Sequence, residues 1–353
     1  MATNFGHRDP AARAERFGKN APDQGSVYVV PALTEMSVGY MLKPEQMIAN
    51  RLIPSVTSDK QEGKYAEYPR GYFFRDEMKP RADGAESAGS GFEINWSGSF
   101  KADVYAYHVD AGPQMRANAK PIDIDQTCTM LATNKALIKR EKFFYDNFFK
   151  TGVWTTQLQG KTSGGGGVAG TDLSWADSSA LPLIQMKRKI RAAQELTGFR
   201  VNKATFSGAL WDVFSEHPNV VSRINGGQTP GGPAEVTREM VARWLGLKEV
   251  LVAEAVVAAN NEGSASEDTL SFMDTAEDAV LLTYTPDSPS LLTPSAFYFF
   301  DWVADGLVGQ FGNAVSRWWI QERKSTRYEI EMATDAKVIA ADCGIWFYDM
   351  LAA

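Results

Sequence analysis

The sequence has few of the residues that build disulfide frameworks and metal centres. Its 353 residues include two cysteines, Cys128 and Cys343, and three histidines. Two cysteines cannot make the disulfide framework of a small secreted protein, and they fit a reducing compartment better. His7, His108 and His217 are far apart in the sequence, so no pattern typical of a metal site is present.

The chain also lacks a long apolar run and a surplus of positive charge. No stretch reaches the ~18 apolar residues that a membrane span requires, and residues 1–20 do not resemble a signal peptide. With 36 Lys and Arg against 43 Asp and Glu, the net charge is −7, which argues against a broad basic face for nucleic acid. Because 44% of the residues are hydrophobic, a sizeable core is possible. We therefore expect a cytosolic protein without a membrane segment.

The motifs that suggest chemistry are weak. Gly160-Lys161-Thr162 copies the end of a phosphate-binding loop, but Thr155 stands where the first glycine of that motif belongs. The glycine pattern at 165–170 overlaps a four-glycine run, which satisfies almost any glycine motif. No serine lies in a Gly-x-Ser-x-Gly motif, and Cys128 falls on the apolar stripe of a predicted helix. The sequence thus predicts no catalytic site and no cofactor.

Apolar and polar residues alternate from Phe92 to Ala106. This period of two predicts a single strand of about 50 Å, far longer than an average strand. A charged, glycine-rich stretch, 75–91, separates it from an earlier aromatic segment that contains Tyr65, Tyr68, Tyr72, Phe73 and Phe74. We interpret the whole as a long two-stranded hairpin. Its apolar face is too long for one small domain, so we expect another molecule to cover it.

The strongest helix signal follows at 123–150. Pro121 precedes it, acids lie in its first turn and Gly152 follows its end. About 28 residues at ~1.5 Å each would span roughly 42 Å, the length of a strut across the molecule. After a glycine-rich connection, helices and strands alternate in a second lobe, and the last third of the chain returns to strands. The first ~25 residues are polar with a basic bias, and they are interpreted as an arm or a frayed terminus.

The order of these parts resembles the major capsid proteins of tailed bacteriophages. It runs from a polar arm through a long hairpin with a glycine-rich tip and a strut helix to an α/β lobe and terminal strands. The residues that resemble the lambda-type branch of this family are clearest in the second lobe, at Thr197–Asn202, Trp211, Glu216–Val220, Ile224 and Leu245–Val250. The resemblance implies an α+β fold, the Hong Kong 97-type capsid fold.

The resemblance also implies how that fold is divided along the chain. The N-terminal arm and the first strand of the peripheral (P) domain would occupy 1–50, and the extended β-hairpin (E-loop) would occupy 51–115. The long spine helix of the P domain would lie in 116–160. The axial (A) domain would span 161–285, and C-terminal P-domain strands that return to the A domain would fill 286–353.

The function implied by the resemblance is structural rather than enzymatic. Such a chain assembles into pentamers and hexamers that form an icosahedral shell around double-stranded DNA, the virion capsid, after assembly in the host cytoplasm. Its partners would be its own copies, a portal, a decoration protein and packaged DNA, which it would contact non-specifically. No charged helical segment precedes the arm, so assembly would use either a separate scaffolding protein or none.

Ten residues are predicted to make contacts between subunits. Most of them are large apolar side chains that a single chain could not easily cover, and two are basic residues of the arm. They are Phe92, Ile94, Trp96, Phe100, Tyr72, Phe73, Arg13, Arg16, Trp318 and Trp319.

Three alternatives stay open. An encapsulin-like nanocompartment shell would use the same fold, and a cargo enzyme encoded next door would favour it. An enzyme of the α/β lobe with an accessory hairpin belongs to another class, and the lack of a convergent set of polar residues counts against it. A tail or baseplate structural protein is the third alternative.

Overall fold

The fold is seen in a computed structural model of the chain. The structure describes residues 46–119, 122–162, 171–224, 236–258, 270–289, 293–303 and 315–352. Most of the predicted arm lies outside the described residues, and so do its predicted contact residues, Arg13 and Arg16. Most of the glycine-rich connection also lies outside them.

The described residues form an α+β structure. The helices are α1 (Ala49–Leu52), α2 (Pro113–Asn118), α3 (Ile124–Asn147), α4 (Pro182–Thr197), α5 (Gly208–Glu216), α6 (Pro218–Ile224) and α7 (Arg238–Leu245). Short 3-10 helices lie at Arg70–Phe74 and Ala341–Cys343. The strands are β1 (Ser55–Ser58), β2 (Glu62–Glu67), β3 (Asn95–Lys101), β4 (Asp103–Ala111), β5 (Thr156–Lys161), β6 (Thr171–Leu173), β7 (Lys203–Ser207), β8 (Glu249–Ala253), β9 (Val256–Ala258), β10 (Leu270–Phe272), β11 (Val280–Thr283), β12 (Phe297–Trp302), β13 (Val315–Ile320), β14 (Ser325–Val338) and β15 (Gly344–Tyr348).

The first lobe is a sheet built around β14. Strand β4 pairs antiparallel with one edge of β14, and β13 and β12 pair with successive parts of the other edge. Strand β1 adds to β12 in parallel. Tyr328, Ile330 and Met332 are alternate residues of β14, so they face the same way, and they pack against the long helix α3.

Helix α3 is the predicted strut, and its caps explain its bounds. The carboxylate of Asp123 accepts hydrogen bonds from the backbone N–H groups of Asp125 and Gln126, which closes the first turn. A stripe at a spacing of four, which includes Cys128 and Ala132, lies buried against the sheet. The helix ends at Asn147, three residues before the predicted end, and its 24 residues span roughly 36 Å.

The second lobe is a six-stranded sheet in the order β6-β5-β15-β11-β7-β8. Helix α4 covers it with Leu183, Met186 and Ile190, whose spacing of three and four places them on one helix face. The last strand of the chain, β15, lies inside this sheet between β5 and β11. The chain therefore returns to the second lobe after the strands of the first.

The prediction of one continuous strand from Phe92 to Ala106 is wrong. Strand β3 pairs with β2 in a hairpin, whereas β4 pairs with β14 in the first lobe. The change occurs at Ala102, which is buried and donates its backbone N–H to the carbonyl of Gln61 at 2.8 Å. Apolar and polar residues alternate through both strands. Because this alternation is the same whichever strand is the pairing partner, it could not indicate the change of partner at Ala102.

Candidate assembly surface

The hairpin β2–β3 is fixed to the body of the chain by aromatic rings at its root. Phe100 stacks on Phe300 with ring centroids 4.5 Å apart and planes within 5°, and Tyr65 stacks on the same ring at 5.5 Å. A glycine stands opposite each hairpin ring, and a Cβ atom at Gly98 would lie 2.2 Å from the ring of Tyr65. The rings can lie across the ribbon because these positions have no side chain. Phe100, predicted as a contact between subunits, therefore already has a partner within its own chain.

Beyond its root, the hairpin presents an exposed apolar patch. We define the hairpin patch as Phe73, Phe92, Ile94 and Trp96; Phe92 is 63% exposed and Trp96 is 56% exposed. The rings of Phe73 and Phe92 both lie near that of Tyr68, at 5.8 and 6.1 Å between centroids. Trp96 lies on β3, Phe92 and Ile94 lie just before this strand, and Phe73 lies in the 3-10 helix between β2 and β3. All four predicted contact residues are exposed.

The hairpin also touches the second lobe at one point. A Cβ atom on Gly198, which follows α4 in a left-handed conformation, would lie 2.5 Å from the ring of Phe74. Phe74 is nevertheless 60% exposed, so this contact does not cover the hairpin patch. Residues 75–94, which we call the tip segment, contain neither helix nor strand.

Two further predicted residues lie on β13. Trp318 and Trp319 are 42% and 50% exposed, and β13 pairs only with β14 among the described strands. Neighbouring residues of a strand point to opposite faces, so the two indoles cannot form one stacking platform. They are instead two separate apolar surfaces at the edge of the first lobe.

The remaining predicted residues add little, and some exposed residues were missed. Arg13 and Arg16 lie outside the described residues, as does the side chain of Tyr72. The exposed apolar side chains that sequence reasoning missed include Met78 in the tip segment and Leu270 and Phe272 on the ribbon β9–β10. A single methionine and a three-residue strand give too little periodicity to be noticed.

A buried polar junction joins the hairpin-bearing lobe to α1. The guanidinium of Arg140 in α3 donates to Asp301 at 2.9 Å, to Asn50 at 2.8 Å and to Ser55 at 3.0 Å. The carboxylate of the next residue, Glu141, accepts the backbone N–H groups of Ile48 and Ala49 at the start of α1, at 3.1 and 2.8 Å.

Burial raises the pKa values of the acidic groups at this junction. Loss of solvent raises the pKa of Glu141 to about 7, against the opposing hydrogen bonds from α1. Burial, the charge of Glu141 and the charge of Asp274 raise the pKa of the Tyr145 hydroxyl, which stays protonated. Burial also raises the pKa of Asp274 to about 7. All three groups are buried.

Surface ion pairs join β4 to β14, and they join α3 to α2 and to β13. Asp110 accepts two hydrogen bonds from Arg327, at 2.8 and 3.0 Å, and one from Arg323 at 3.1 Å. These bonds hold the pKa of Asp110 at about 2. Asp125 likewise pairs with Arg116 at 2.9 Å and with Arg317 at 3.3 Å. These ion pairs thus connect β4, α2, α3 and β13 with neighbouring elements of the first lobe.

Neither cysteine nor His217 forms a reactive site. Both cysteines are buried, and they are not joined in a disulfide. The imidazole of His217 bonds the carbonyl of Asp177 at 3.1 Å and accepts the backbone N–H of Asn219 at 3.2 Å, so it connects two turns at a helix end. In the described ranges no group of three His, Cys, Asp or Glu residues could hold a metal ion, and no helix there is long and apolar enough to cross a membrane.

Neither a protein-family model nor a curated protein sequence matches the chain. Its fold is nevertheless similar to solved structures. A phage-related protein of Bordetella bronchiseptica is similar with a TM-score of 0.63 at 17% identity, over 91% of this chain and 97% of that one. The capsid of cyanophage P-SCSP1u is similar with a TM-score of 0.56 at 9% identity, over 92% and 93%.

A third similar structure is a shell of another kind. The encapsulin of the holo-SrpI complex of Synechococcus elongatus is similar with a TM-score of 0.53 at 11% identity, over 98% of this chain and 96% of that one. The matches extend over nearly all of each chain, so they cover both lobes and the hairpin. The chain therefore has an α+β capsid fold, the fold of a bacteriophage capsid and of an encapsulin.

Proposed function

We propose that this chain is the major capsid protein of a tailed bacteriophage. It assembles into pentamers and hexamers that form an icosahedral shell around double-stranded DNA. The observation that carries the proposal is the hairpin patch, whose four large apolar side chains extend from the body of a chain with a capsid fold. Burial of exposed apolar side chains of this size against another molecule is favourable, because it removes apolar surface from water.

The proposal assigns a neighbouring copy to each open surface. The hairpin patch and the two indoles of β13 lie on different parts of the chain, so one copy can contact several others through unlike surfaces. Contacts between unlike surfaces produce rings, which a closed shell requires. Arg13 and Arg16 in the arm, Tyr72 and Phe100 stay predictions of contact residues, with Phe100 acting through the hairpin root.

Further partners and roles belong to the same proposal. The division into arm, E-loop, spine helix, A domain and P domain is part of the proposal. A hairpin, β2–β3, that precedes the long helix α3 and a second sheet that follows this helix support it. A portal, a scaffolding protein, a decoration protein and packaged DNA are the expected partners in the virion, after assembly in the host cytoplasm. The chain itself would perform no chemistry.

An encapsulin-type shell is the second candidate, because that fold is nearly as similar and the match covers more of this chain. The two candidates differ in what the particle contains. A cargo protein that co-purifies in stoichiometric amounts with native particles would favour the encapsulin, whereas packaged double-stranded DNA supports the capsid.

The proposal is tested by sedimentation velocity of the purified wild-type chain and of the variant Phe92→Ser/Trp96→Ser. We expect the wild type to form capsomers or shells. The variant should stay monomeric at the same concentration with an unchanged circular dichroism spectrum, since both residues are exposed. Met273→Ser, a change in the core, is the matched control, because it should lower the melting temperature instead. Equal assembly of variant and wild type would contradict the role of the hairpin patch.

A further inference from the structure

A groove along α4 concentrates positive charge in an acidic chain. Lys187, Arg188 and Arg191 are exposed on this helix, and Arg200 follows its end. These four cations line a groove with a volume of about 920 Å³, which we call the α4 groove. The chain as a whole has a net charge of −7, so this concentration of cations is local.

Helix α7 and the glycine after it position two of these cations. The ammonium group of Lys187 lies over the ring of Trp244, 4.7 Å from its centroid. The guanidinium of Arg200 donates to the carbonyl of Leu245 at 2.7 Å and lies close to Gly246, where a Cβ atom would be 2.8 Å from it. Side chains that are already held in place lose less conformational entropy when a ligand binds. The α4 groove therefore presents two cations in defined positions.

The chain itself compensates only part of this positive charge. Among the described residues, no ion pair involves any of the four cations that line the groove. Burial raises the pKa of Asp172, and the charges of Lys189 and Arg188 lower it by less, so these two cations act partly on that carboxylate. Glu195 is the one acid among the residues that line the groove. Four cations against one acid attract a ligand of negative charge.

The spacing of the cations matches an extended peptide. Lys187 and Arg191 are four residues apart, so they lie on one face of α4 with a rise of roughly 6 Å between them. In an extended chain, side chains two residues apart point the same way and lie about 6.6 Å apart. Two acidic residues separated by one other residue therefore reach both cations at once, and Arg188 stands beside the first.

A second copy of the chain does not supply such a ligand. Acidic residues two positions apart occur at two places in the sequence, Asp123 with Asp125 and Glu329 with Glu331. The first pair is engaged at the start of α3, where one carboxylate caps the helix and the other forms two ion pairs. The second pair lies inside β14, around which the first sheet is built. The ligand therefore comes from a different protein.

We infer that the α4 groove binds an extended acidic segment of a partner protein, in which two carboxylates on alternate residues pair with Lys187 and Arg191. The inference rests on the proposed function only in making the partner an accessory protein of the shell. Binding of the segment itself needs no assembly, so the two can be tested separately.

A peptide suits the α4 groove better than a nucleic acid does. Glu195 follows Arg191 by one helical turn, and its carboxylate would repel a phosphate at that point. A nucleic acid strand carries a phosphate at every nucleotide, whereas a peptide can place an uncharged residue beside Glu195. The half-buried side chain of Ile184 also lines the groove and offers apolar contact to a peptide side chain. Duplex DNA is the competing ligand in the test below.

The test is a binding measurement with synthetic peptides on the purified full-length chain. The probe is a short fluorescent peptide of alanine and serine with two glutamates separated by one residue, and a matched peptide carries glutamine in their place. The groove variant is Lys187→Gln/Arg191→Gln. The control variant, Lys161→Gln/Arg223→Gln, removes two exposed cations elsewhere in the second lobe and changes the net charge equally. All four residues are exposed, so the melting temperature should stay close to that of the wild type.

Fluorescence anisotropy at low ionic strength gives the dissociation constant of each peptide. We expect the groove variant to raise the Kd of the glutamate peptide about tenfold, since each lost exposed charge pair contributes a factor of about three. The control variant should bind this peptide within about twofold of the wild type, because its changes lie outside the groove. The glutamine peptide should bind the wild type about tenfold more weakly than the glutamate peptide does.

Equal binding of the glutamate peptide by the groove variant and the wild type would overturn the inference, and so would equal binding of the two peptides by the wild type. A short DNA duplex that binds the wild type more tightly than the peptide, but not the groove variant, would assign the groove to nucleic acid. A groove variant that fails to assemble while the control assembles would assign it to a second copy. Failure of the wild type to assemble would contradict the proposed function but not the peptide binding.

Discussion

At the scale of single residues, the structure separates aromatic side chains that look alike in the sequence. Phe100 and Trp96 both belong to the alternating apolar set, but Phe100 stacks on Phe300, whereas Trp96 is 56% exposed. Their roles should therefore separate in experiment. One ring stabilises the single chain, and the other is available to a neighbour.

We expect Phe100→Ala to lower the free energy of unfolding by about 2 kcal/mol, since a half-buried stacked ring is lost. Trp96→Ala should change it by less than ~0.5 kcal/mol while reducing assembly. Urea denaturation and sedimentation measure the two effects. Equal destabilisation by both variants would show that the hairpin patch is covered by the chain itself.

Glu141 should make stability depend on pH. Its pKa is about 7 in the folded chain against 4.5 in the unfolded chain, so the folded state binds the extra proton between these values. The contribution of Glu141 to the free energy of unfolding therefore rises as the pH falls from about 8 to about 5, by on the order of 2–3 kcal/mol. Asp274, with a pKa of about 7, contributes with the same sign.

Urea denaturation at several pH values measures this dependence. In the variant Glu141→Gln, the change of the free energy of unfolding with pH should be about half of that in the wild type. In Glu141→Gln/Asp274→Asn, most of this pH dependence should be lost. Asp110→Asn is the control, because the low pKa of Asp110, about 2, places its own effect at more acid pH. An unchanged slope in the double variant would contradict the assignment to these two acids.

At the scale of elements, the junction between α1, α3 and β12 depends on the buried pair of Arg140 and Asp301. Removing the guanidinium leaves a buried carboxylate without its cation, and such a loss costs about 3–5 kcal/mol. We expect Arg140→Leu to lower the free energy of unfolding by that amount, measured by urea denaturation. The change Arg140→Leu/Asp301→Leu should recover much of it, and a loss below ~1 kcal/mol in the single variant would contradict the pairing.

The elements also show what a sequence can predict. Helix α3 was predicted nearly to its ends because its caps and its spacing of four are local signals. The division of 92–106 into β3 and β4 was missed, since the change at Ala102 depends on contacts with Gln61 and β14, which are distant in the sequence. The alternation predicts one apolar set that includes Trp96 and Phe100, but it could not show that Trp96 is exposed while Phe100 has an internal partner.

At the scale of the whole molecule, two lobes share one chain whose last strand returns to the middle of the second sheet. The hairpin extends from this body with its apolar side chains uncovered. In the proposed shell, a neighbouring copy would bury this exposed apolar surface. A hairpin ahead of a long helix could be predicted from the sequence, but the exposed surfaces could be found only once the buried contacts of the fold were known.

Electron microscopy of the expressed chain, alone and together with the products of its neighbouring genes, tests the central claim most directly. The account predicts closed particles of uniform diameter, built from rings of five and six copies. Monodisperse single chains at every concentration and in both preparations would contradict it.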